Sequence, residues 1–176
     1  VYTWGKTKLS RTRSIEKIPA IVKSSKVIDI AAGIDHVVAL TETGDIVVWG
    51  STMNGQDEVP NAVQKLKAKD IRQLAAGNQI SAVVTTDGRL LMWGNVLNVD
   101  AKVEEEYQGR IAKVALTSFG YISLLDDGNV AFTGMKKSSI SKVPEELLTG
   151  GNVVDITAGD SCCAALTKDG RIVIWG

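Results

Sequence analysis

Short β-prone runs and turn residues alternate along the whole chain. Each of four apolar runs ends at a turn that contains glycine, and a second apolar run follows the turn. A turn of this kind between apolar runs is a strong signal for a β-hairpin with a two-residue turn. The sequence therefore predicts four hairpins with first strands at 36–41, 80–85, 120–125 and 162–167, turns at Thr43-Gly44, Asp87-Gly88, Asp127-Gly128 and Asp169-Gly170, and return strands at 45–50, 89–94, 129–134 and 171–176.

A further short strand is predicted before each hairpin. Two apolar residues, three positions apart, precede each hairpin at the same distance: Val27 and Ile30, Ile71 and Leu74, Ile111 and Val114, and Val153 and Ile156. A weaker segment precedes these strands around Pro19, Pro60, Val103 and Pro144. Proline is tolerated where no ladder hydrogen bond is required, so we expect a fourth, edge-like strand there.

The complete pattern repeats along the chain. Trp-Gly occurs at 4–5, 49–50, 93–94 and 175–176, with Thr133-Gly134 in the remaining place, and the period is 40 to 45 residues. Tandem repeats of this length are typical of solenoids and propellers. We therefore predict repeats 6–50, 51–94, 95–134 and 135–176, preceded by residues 1–5 as the last strand of an earlier unit. The structural positions of the repeat are Gly33, Gly44, Trp49, Gly50, Gly77, Gly88, Trp93, Gly94, Gly128, Gly134, Gly159, Gly170, Trp175 and Gly176.

These units favour an all-β fold, a β-propeller, with residues 1–176 as one propeller domain or part of one. A small sheet cannot bury both of its faces alone, whereas blades stacked around a channel cover the faces and protect the edges. Period-two strands exclude helical solenoids, and a straight β-helix usually has a shorter repeat. The third unit is the divergent one, because it has Thr117 and Thr133 where the others have Gly and Trp.

The repeat resembles that of a known family. The segment Trp49–Pro60, the element Ala75–Gly77 and the ending Asp87–Gly94 are similar to regulator-of-chromosome-condensation (RCC1) repeats of the compact bacterial type. Ala31–Leu40, which contains His36, is similar to the family's Ala-Gly-x-x-His-x-x-Ala-Leu element. The resemblance extends over essentially the whole chain, and the later units depart from it by replacing His36 with Ile80, Gly120 and Cys162.

The resemblance implies a larger assembly of blades than the four found here. Members of this family are usually closed rings of about seven blades. We therefore expect these four blades to be part of a larger ring, completed by missing blades. A ring made by two chains and a small closed ring are the alternatives.

Composition and single residues exclude several functions. Lys+Arg and Asp+Glu both total 20, so no global field would attract nucleic acid. No apolar run approaches the roughly 18 residues of a membrane helix. Because His36 is the one histidine, and because Cys162 and Cys163 fit small buried positions, no metal set or nucleophile–base pair emerges. We expect a protein that is not an enzyme, with no catalytic residue, metal, cofactor or small-molecule substrate.

Two further residue sets have structural explanations. Asp87, Asp127 and Asp169 are equivalent turn residues, so turn chemistry accounts for them better than general acid–base catalysis. The tryptophans occupy a fixed place near the end of each return strand. That place favours packing between blades over a stacking platform for sugars or bases.

Function is expected in the segments that follow each Trp-Gly, here called the variable segments: 6–17, 51–58, 95–102 and 135–142. They differ in length and charge, while the other spacings are kept, and loops on a rigid scaffold are where recognition usually occurs. We hypothesise a non-catalytic protein–protein interaction scaffold whose partner is another protein. The candidate contact residues are Lys6, Lys8, Arg11, Arg13, Asn54, Gln56, Lys136 and Lys137.

Three alternatives stay open. The resemblance implies two of them, a secreted protein inhibitor of an enzyme such as a β-lactamase, and a guanine-nucleotide exchange and chromatin-binding propeller. The third is a structural subunit of a large assembly or virion. An inhibitor would be expected to expose Trp and Tyr, but the variable segments contain no Trp and only Tyr107 lies near them. The resemblance implies that exchange in the family's eponymous member depends on a wedge-like insertion, and these compact units lack one.

Overall fold

Four three-stranded β-sheets make up most of the structure, a computed structural model that describes residues 1–2, 17–51, 53–95 and 103–176. Each sheet contains three strands that are consecutive in the chain and neighbours in the sheet. We call each sheet, with the segment that leads into it, a blade. The strands are β1 Val27–Ala32, β2 His36–Thr41, β3 Ile46–Gly50, β4 Ile71–Ala76, β5 Ile80–Thr85, β6 Leu90–Gly94, β7 Ile111–Leu116, β8 Gly120–Leu125, β9 Val130–Gly134, β10 Val153–Ala158, β11 Cys163–Thr167 and β12 Ile172–Trp175.

The chain divides into two compact units. The first consists of residues 1–86 with 91–95, and the second of residues 87–90 with 96–176. The first unit therefore contains the first blade and most of the second. The second unit contains the hairpin turn of the second blade together with the third and fourth blades.

A β-bulge explains the three-residue spacing of apolar residues in the first strand of each blade. The register between the first and second strands shifts between Val27 and Asp29, and it shifts at the equivalent place in the other three blades. An extra residue at this point lets two residues that are three apart face the same side of the sheet. The buried pairs are Ile71 and Leu74, Ile111 and Val114, and Val153 and Ile156.

The hairpins of the first, third and fourth blades have three-residue loops, which corrects the two-residue turns predicted there. In the first blade the Thr41 N–H donates to the Asp45 carbonyl, and the Gly44 N–H donates to the Thr41 carbonyl. The same pair of bonds recurs in the third and fourth blades. Gly44 has a positive φ of 97°. A tight turn followed by a glycine in the left-handed region is the usual three-residue hairpin loop.

The expected fourth strand is wrong for the described residues, because the proline segments begin short helices. The helices are α1 Ala20–Ser24, α2 Asn61–Gln64 and α3 Glu145–Leu148, and each follows its proline directly. The φ of proline suits the start of a helix, where its missing N–H costs nothing. The third residue after each proline is buried: Val22, Val63 and Leu147. Val1 and Tyr2 are exposed and lie in no strand, and the rest of the predicted strand 1–5 lies outside the described residues.

In the first unit, the core lies between successive blades. Val38 and Leu40 of β2 pack in one cluster with Val63 of α2, Leu74 of β4 and Trp93 of β6. Two polar contacts join the same elements. The Leu74 N–H donates to Asp29 Oδ2 at 2.9 Å, and the Ile34 N–H donates to the Gly77 carbonyl at 3.2 Å.

The second unit repeats this arrangement. Ile122 and Leu124 of β8 pack with Leu147 of α3, Ile156 of β10 and Trp175 of β12. Polar contacts between the two blades include the Lys113–Asp155 ion pair and a hydrogen bond from the Ser118 hydroxyl to Asp160. In both units, therefore, the second strand of one blade is covered by the helix, first strand and tryptophan of the next.

The divergent third blade keeps its core through paired replacements. Tyr121 and Thr133 are cross-strand partners, and Tyr121 is almost completely buried. The equivalent pairs are small or medium residues with tryptophan: Val37 with Trp49, Ser81 with Trp93, and Cys163 with Trp175. The large aromatic residue is therefore on the second strand in the third blade, whereas it is on the third strand in the other blades. We infer that Tyr121 replaces the volume lost at Thr133.

A second replacement accompanies the first. A side chain at Gly33 would come within 2.5 Å of the His36 ring, so a glycine and a histidine fit together there. The third blade has Thr117 at the first of these positions and Gly120 at the second. The Thr117 hydroxyl donates to the Gly120 carbonyl at 3.0 Å, and it accepts from the Phe119 N–H. The loss of one glycine is thus matched by the gain of another.

We predict that exchanging the Tyr121–Thr133 pair costs less stability than the two single changes added together. Tyr121→Ser should destabilise the chain by about 2–4 kcal/mol, because it leaves a cavity. Thr133→Trp should cost roughly 1–3 kcal/mol, because it overfills the same space. The double variant should be more stable than the sum of the two costs by at least about 1 kcal/mol. Chemical denaturation of all four proteins measures this coupling, and simple additivity would show that the two side chains do not share one space.

Candidate protein-binding segments

The structure describes two of the four variable segments. Residues 51 and 53–58 belong to the first unit, and residues 135–142 to the second. Nearly all of the segments 6–17 and 95–102 lies outside the described residues. The candidate contact residues Lys6, Lys8, Arg11 and Arg13 lie there too, and they stay predictions.

The segment of the second repeat combines an exposed tip with a buried anchor. Met53 is 85% exposed, while Gln56 is completely buried. The Gln56 side-chain oxygen accepts a hydrogen bond from the Asn54 N–H at 2.8 Å, which holds the loop closed. This burial revises the expectation for Gln56, whose side chain stabilises the segment from inside. Asn54 is half-buried and stays a candidate contact residue.

The segment of the fourth repeat is built in the same way. Met135, Lys136 and Lys137 are exposed, and Ile140 is completely buried. The Ser138 hydroxyl donates to the Met135 carbonyl at 2.7 Å, and the Ser141 hydroxyl donates to the Lys136 carbonyl at 2.8 Å. These bonds fix the backbone that carries both lysines.

The tryptophan of each of these repeats holds its own variable segment in place. The Trp93 indole N–H donates to the Gln56 carbonyl at 2.8 Å, and the Trp175 indole N–H donates to the Ile140 carbonyl at 3.0 Å. Both rings are buried in the cores between blades. The tryptophan therefore joins the core to the loop. The sequence indicated the packing role of this residue but not the hydrogen bond.

The two segments differ in charge. Asp57 and Glu58 make the first one acidic, and both residues are exposed. Lys136, Lys137 and Lys142 make the second one basic, and all three are exposed as well. The two loops are anchored in the same way but carry opposite charges. They would therefore be complementary to oppositely charged regions on a partner protein.

One buried cluster has the residue types of a catalytic triad without its accessibility. His36 Nε2 lies 3.0 Å from Ser81 Oγ, and His36 Nδ1 lies 3.6 Å from Asp35 Oδ1. His36 and Ser81 are both completely buried, so no substrate can reach the hydroxyl. Burial lowers the pKa of His36, although Asp35 opposes this shift. The hydrogen bond between His36 and Ser81 therefore joins the first blade to the second. The lowered pKa keeps the histidine neutral at neutral pH.

The two cysteines differ in their surroundings. Cys163 is buried as expected, and burial raises the pKa of its thiol to about 12, which leaves it unreactive at neutral pH. Cys162 is exposed, which corrects the expectation that both cysteines are buried. Cys162 lies in the loop before β11, where residues 159–162 are all exposed.

The aspartates of the hairpin turns form ion pairs near their own turns. Asp87 pairs with Arg89, Asp127 with Arg110, and Asp169 with Arg171. Hydrogen bonds from Thr167 and Arg171 hold the pKa of Asp169 at about 2. A carboxylate with a lowered pKa is a poor general acid, which argues against that role for Asp169. All three aspartates pair with arginines near their turns.

Within the described ranges, no other arrangement suggests bound chemistry. No group of three or more His, Cys, Asp or Glu residues there could hold a metal ion. A groove of about 420 Å³ in the second unit is lined by Tyr107, Phe132 and Lys142, and by Arg110 and Asp127, which pair with each other. None of the helices in the described part of the chain is long and apolar enough to cross a membrane.

Comparison with known proteins identifies the repeat. The family model "Regulator of chromosome condensation (RCC1) repeat" matches residues 27–56 and 71–98. The human E3 ubiquitin-protein ligase HERC2 is 28% identical over 195 residues, and the mouse protein matches to the same degree. The match covers all of this chain, which spans only 3% of the length of HERC2.

Solved structures show the fold. Human WBSCR16 matches 87% of this chain with a TM-score of 0.69 and 20% identity, and the match covers 48% of that protein. Prp20p from Saccharomyces cerevisiae matches 88% of the chain with a TM-score of 0.63 and 21% identity, over 45% of its own length. The chain is therefore an all-β propeller structure of the RCC1 type.

We predict that Trp93→Phe loosens the segment 51–58 while keeping most of the core. The Gln56 carbonyl would lose its donor, and an unpaired buried acceptor costs roughly 1–3 kcal/mol. Chemical denaturation should show this loss, and hydrogen exchange at the Asn54 amide should accelerate more than exchange in β4. Tyr121→Phe, which removes one buried hydroxyl from the third blade, is the matched control and should leave this exchange unchanged. Equal acceleration at Asn54 and throughout β4 would contradict the anchoring role.

Acid should weaken the first unit through His36. Because the pKa of His36 is lower in the folded state than its ordinary value of 6.5, the unfolded chain binds more protons below that pH. The free energy of unfolding should therefore fall as the pH decreases below 6.5. A His36→Gln variant lacks this titration, so its stability relative to the wild type should improve as the pH falls. Denaturation of both proteins from about pH 8 to about pH 5 tests this, and a difference independent of pH would contradict it.

Proposed function

Two repeats of this chain match the RCC1 repeat model and its fold is that of RCC1-like propellers, and from that premise we propose that it is a non-catalytic scaffold that binds another protein through its variable segments. The observation that carries the proposal is the shared construction of the segments 51–58 and 135–142. In each, a tryptophan from the core fixes a buried residue, while a methionine and charged residues stay exposed.

This construction suits protein recognition. A loop whose backbone is already fixed loses little conformational entropy on binding. Methionine is flexible and polarisable, so it can adapt to an apolar patch on a partner. The neighbouring charges, acidic around Asp57 and basic around Lys136, would set orientation and association rate. The segments therefore combine a rigid backbone with adaptable side chains.

The absence of catalysis is part of the proposal. Ser81 and His36, which have the chemistry of a nucleophile and base, are buried in a contact between blades. The three turn aspartates are exposed and paired with arginines. A catalytic site needs reactive groups that converge where a substrate can enter, and these groups are either enclosed or separated along the repeat.

Proteins of the same fold bind other proteins, which supports a protein as the ligand of this chain. The structure of Prp20p was reported together with its binding to Gsp1p and histones, and another structure contains Kap60 bound to yeast RCC1. A protein-interaction or RCC1-type function is therefore the general expectation for this fold. The identity of the partner does not transfer at this level of sequence identity.

No specific observation favours the enzyme inhibitor, the exchange factor or the assembly subunit over the general scaffold. The described tryptophans are buried, so they offer no aromatic surface of the kind that an enzyme inhibitor would use. The exchange-factor and assembly alternatives would also act through protein contacts. Each could therefore be a particular case of the proposed scaffold.

Paired charge changes should separate the variable segments from the rest of the surface. The segment variant combines Met53→Asp, Lys136→Glu and Lys137→Glu. The control variant makes the same three types of change at Ile34, Lys65 and Lys69, which are exposed residues outside the segments. Both variants should unfold at nearly the wild-type denaturant concentration, because surface changes usually alter stability by less than about 0.5 kcal/mol.

The measurement is quantitative affinity purification from the native source, with the three proteins as baits. Partners recovered with the wild type should fall at least about tenfold with the segment variant, since interface hot spots carry most of the binding energy. The control should retain them. If the segment variant and the control recover the same partners in the same amounts, the variable segments are not the binding surface.

A further inference from the structure

The third strand of the third blade has an open edge. In the described part of the chain, β9 pairs only with β8. The Leu125 N–H donates to the Asn129 carbonyl, so Asn129 and Ala131 belong to the hydrogen-bonded pairs of this ladder. Alternate residues of an antiparallel strand point their N–H and C=O groups away from that partner. The backbone groups of Val130 and Phe132 therefore point out of the sheet at its edge.

The equivalent edge of the second blade shows what such groups bind. Leu90 begins β6 and has the same place in its hairpin as Val130. The Leu90 N–H donates to Gln108 Oε1 at 3.1 Å, and the Leu90 carbonyl accepts from Gln108 Nε2 at 3.2 Å. The carboxamide of Gln108 thus supplies one acceptor and one donor, as a residue of a neighbouring strand would.

The third blade has no such side chain at its edge. Gln108 lies three residues before β7, and Gly150 lies three residues before β10. Glycine has no group that could bind the Val130 backbone. Among the described residues, the outward backbone groups of Val130 and Phe132 have no partner. An exposed strand edge with unpaired N–H and C=O groups is a template for another strand.

The groove of about 420 Å³ in the second unit follows this edge. Val130 and Phe132 line it from one face of the sheet, and Ala131 lines it from the other, because successive side chains alternate between the faces. Tyr107, which precedes β7, and Leu148 of α3 line it as well. The groove therefore includes both faces of β9, which is the space that a strand beside β9 would take.

The side chains of the groove favour a ligand with apolar and acidic groups. Phe132 is half-buried and Leu148 is 44% exposed, so both can contact an apolar side chain. Arg110 and Asp127 pair with each other. Lys142 is exposed, and none of the described carboxylates pairs with it. The groove therefore has one free positive charge, which is complementary to an acidic side chain.

We propose that this groove is a docking site for an extended peptide segment of a partner protein. One peptide residue would exchange both main-chain hydrogen bonds with Val130, as the Gln108 side chain does with Leu90. An apolar side chain of the peptide would contact Phe132 and Leu148, and an acidic one would pair with Lys142. In this mode of recognition, main-chain bonds provide affinity and alternate side chains provide specificity.

This inference rests on the proposed function in one respect, since its ligand is a protein. It adds a different kind of contact, because the peptide would bind at the edge of a blade rather than at the exposed tips of the variable segments. Only Ser141 and Lys142 of those segments line the groove.

The test uses peptides selected against the full chain. A phage-displayed library of random linear peptides is panned on the protein, and an enriched peptide is synthesised. Hydrogen exchange measured by NMR then compares the amides of Val130, Ala131 and Phe132 with and without saturating peptide. We expect exchange at Val130 and Phe132 to slow by about tenfold or more, because their N–H groups gain acceptors. Exchange at Ala131, whose N–H already bonds to β8, should change less.

Two matched variants test the place of binding. Leu148→Asp should weaken peptide binding at least about tenfold, because it removes an apolar contact and opposes an acidic side chain. Ile21→Asp changes a similarly exposed residue of another short helix, α1, and should leave the affinity unchanged. Both residues are exposed, so both variants should unfold at nearly the wild-type denaturant concentration. A loss of affinity in both variants, or in neither, would contradict binding in this groove.

Three other results would overturn the proposal. The first is a library that yields no binding peptide, and the second is a peptide that binds without slowing exchange at Val130 and Phe132. The third is protection of these two amides in the free chain equal to that of Ala131, because a segment of this chain or a second copy would then occupy the edge. The proposed function is tested separately. It stands if the segment variant loses partners in affinity purification even when no peptide enters the groove.

Discussion

The stacking of one blade on the next is the interaction on which the rest of this structure depends. A three-stranded sheet has two faces and little depth, so it cannot form a core alone. In each unit, the second strand of one blade is buried by the helix, the first strand and the tryptophan of its successor. Full burial of one Leu or Ile side chain contributes about 1.5–3 kcal/mol. A few such residues per interface therefore account for most of the stability that a blade can gain.

The same constraint connects the core to the candidate function. The tryptophan that completes each described interface also donates its indole N–H to the variable segment of its own repeat. The loops are therefore fixed by the packing that stabilises the blades. The loop composition can change between repeats, from acidic around Asp57 to basic around Lys136. The one condition is that a buried backbone carbonyl of the loop accepts the hydrogen bond from the indole N–H.

The repeat could be predicted from the sequence because its glycine and tryptophan spacings are strict. The propeller fold followed from that spacing, and the RCC1-like family was suggested by the resemblance of segments such as Trp49–Pro60. The fourth strand was wrong, since the proline pattern was interpreted as an edge strand when the buried residue three positions later, such as Val63, indicates a short helix. The two-residue turns were wrong because the sequence signal Asp-Gly does not distinguish the loop lengths.

Other features depended on contacts that no local pattern shows. Gln56 looks like a polar loop residue, and only the fold shows that its side chain closes the loop from inside. The compensation between Tyr121 and Thr133 required the strand register, because the two residues are 12 positions apart in the chain and opposite each other in the sheet. Cys162 stands at the position of the buried His36, and only the fold shows that it lies in an exposed loop.

Strand-resolved hydrogen exchange of the native chain tests the stacking account most directly. Strands β9 and β12 are equivalent third strands of the second unit, but Val130 of β9 is buried in the core, whereas Ile172 and Ile174 of β12 are exposed. If stacking stabilises the blades, amides of Val130–Gly134 should exchange at least about tenfold more slowly than those of Ile172–Trp175. Equal protection of the two strands would show that each blade is stable without its successor, and it would contradict the account.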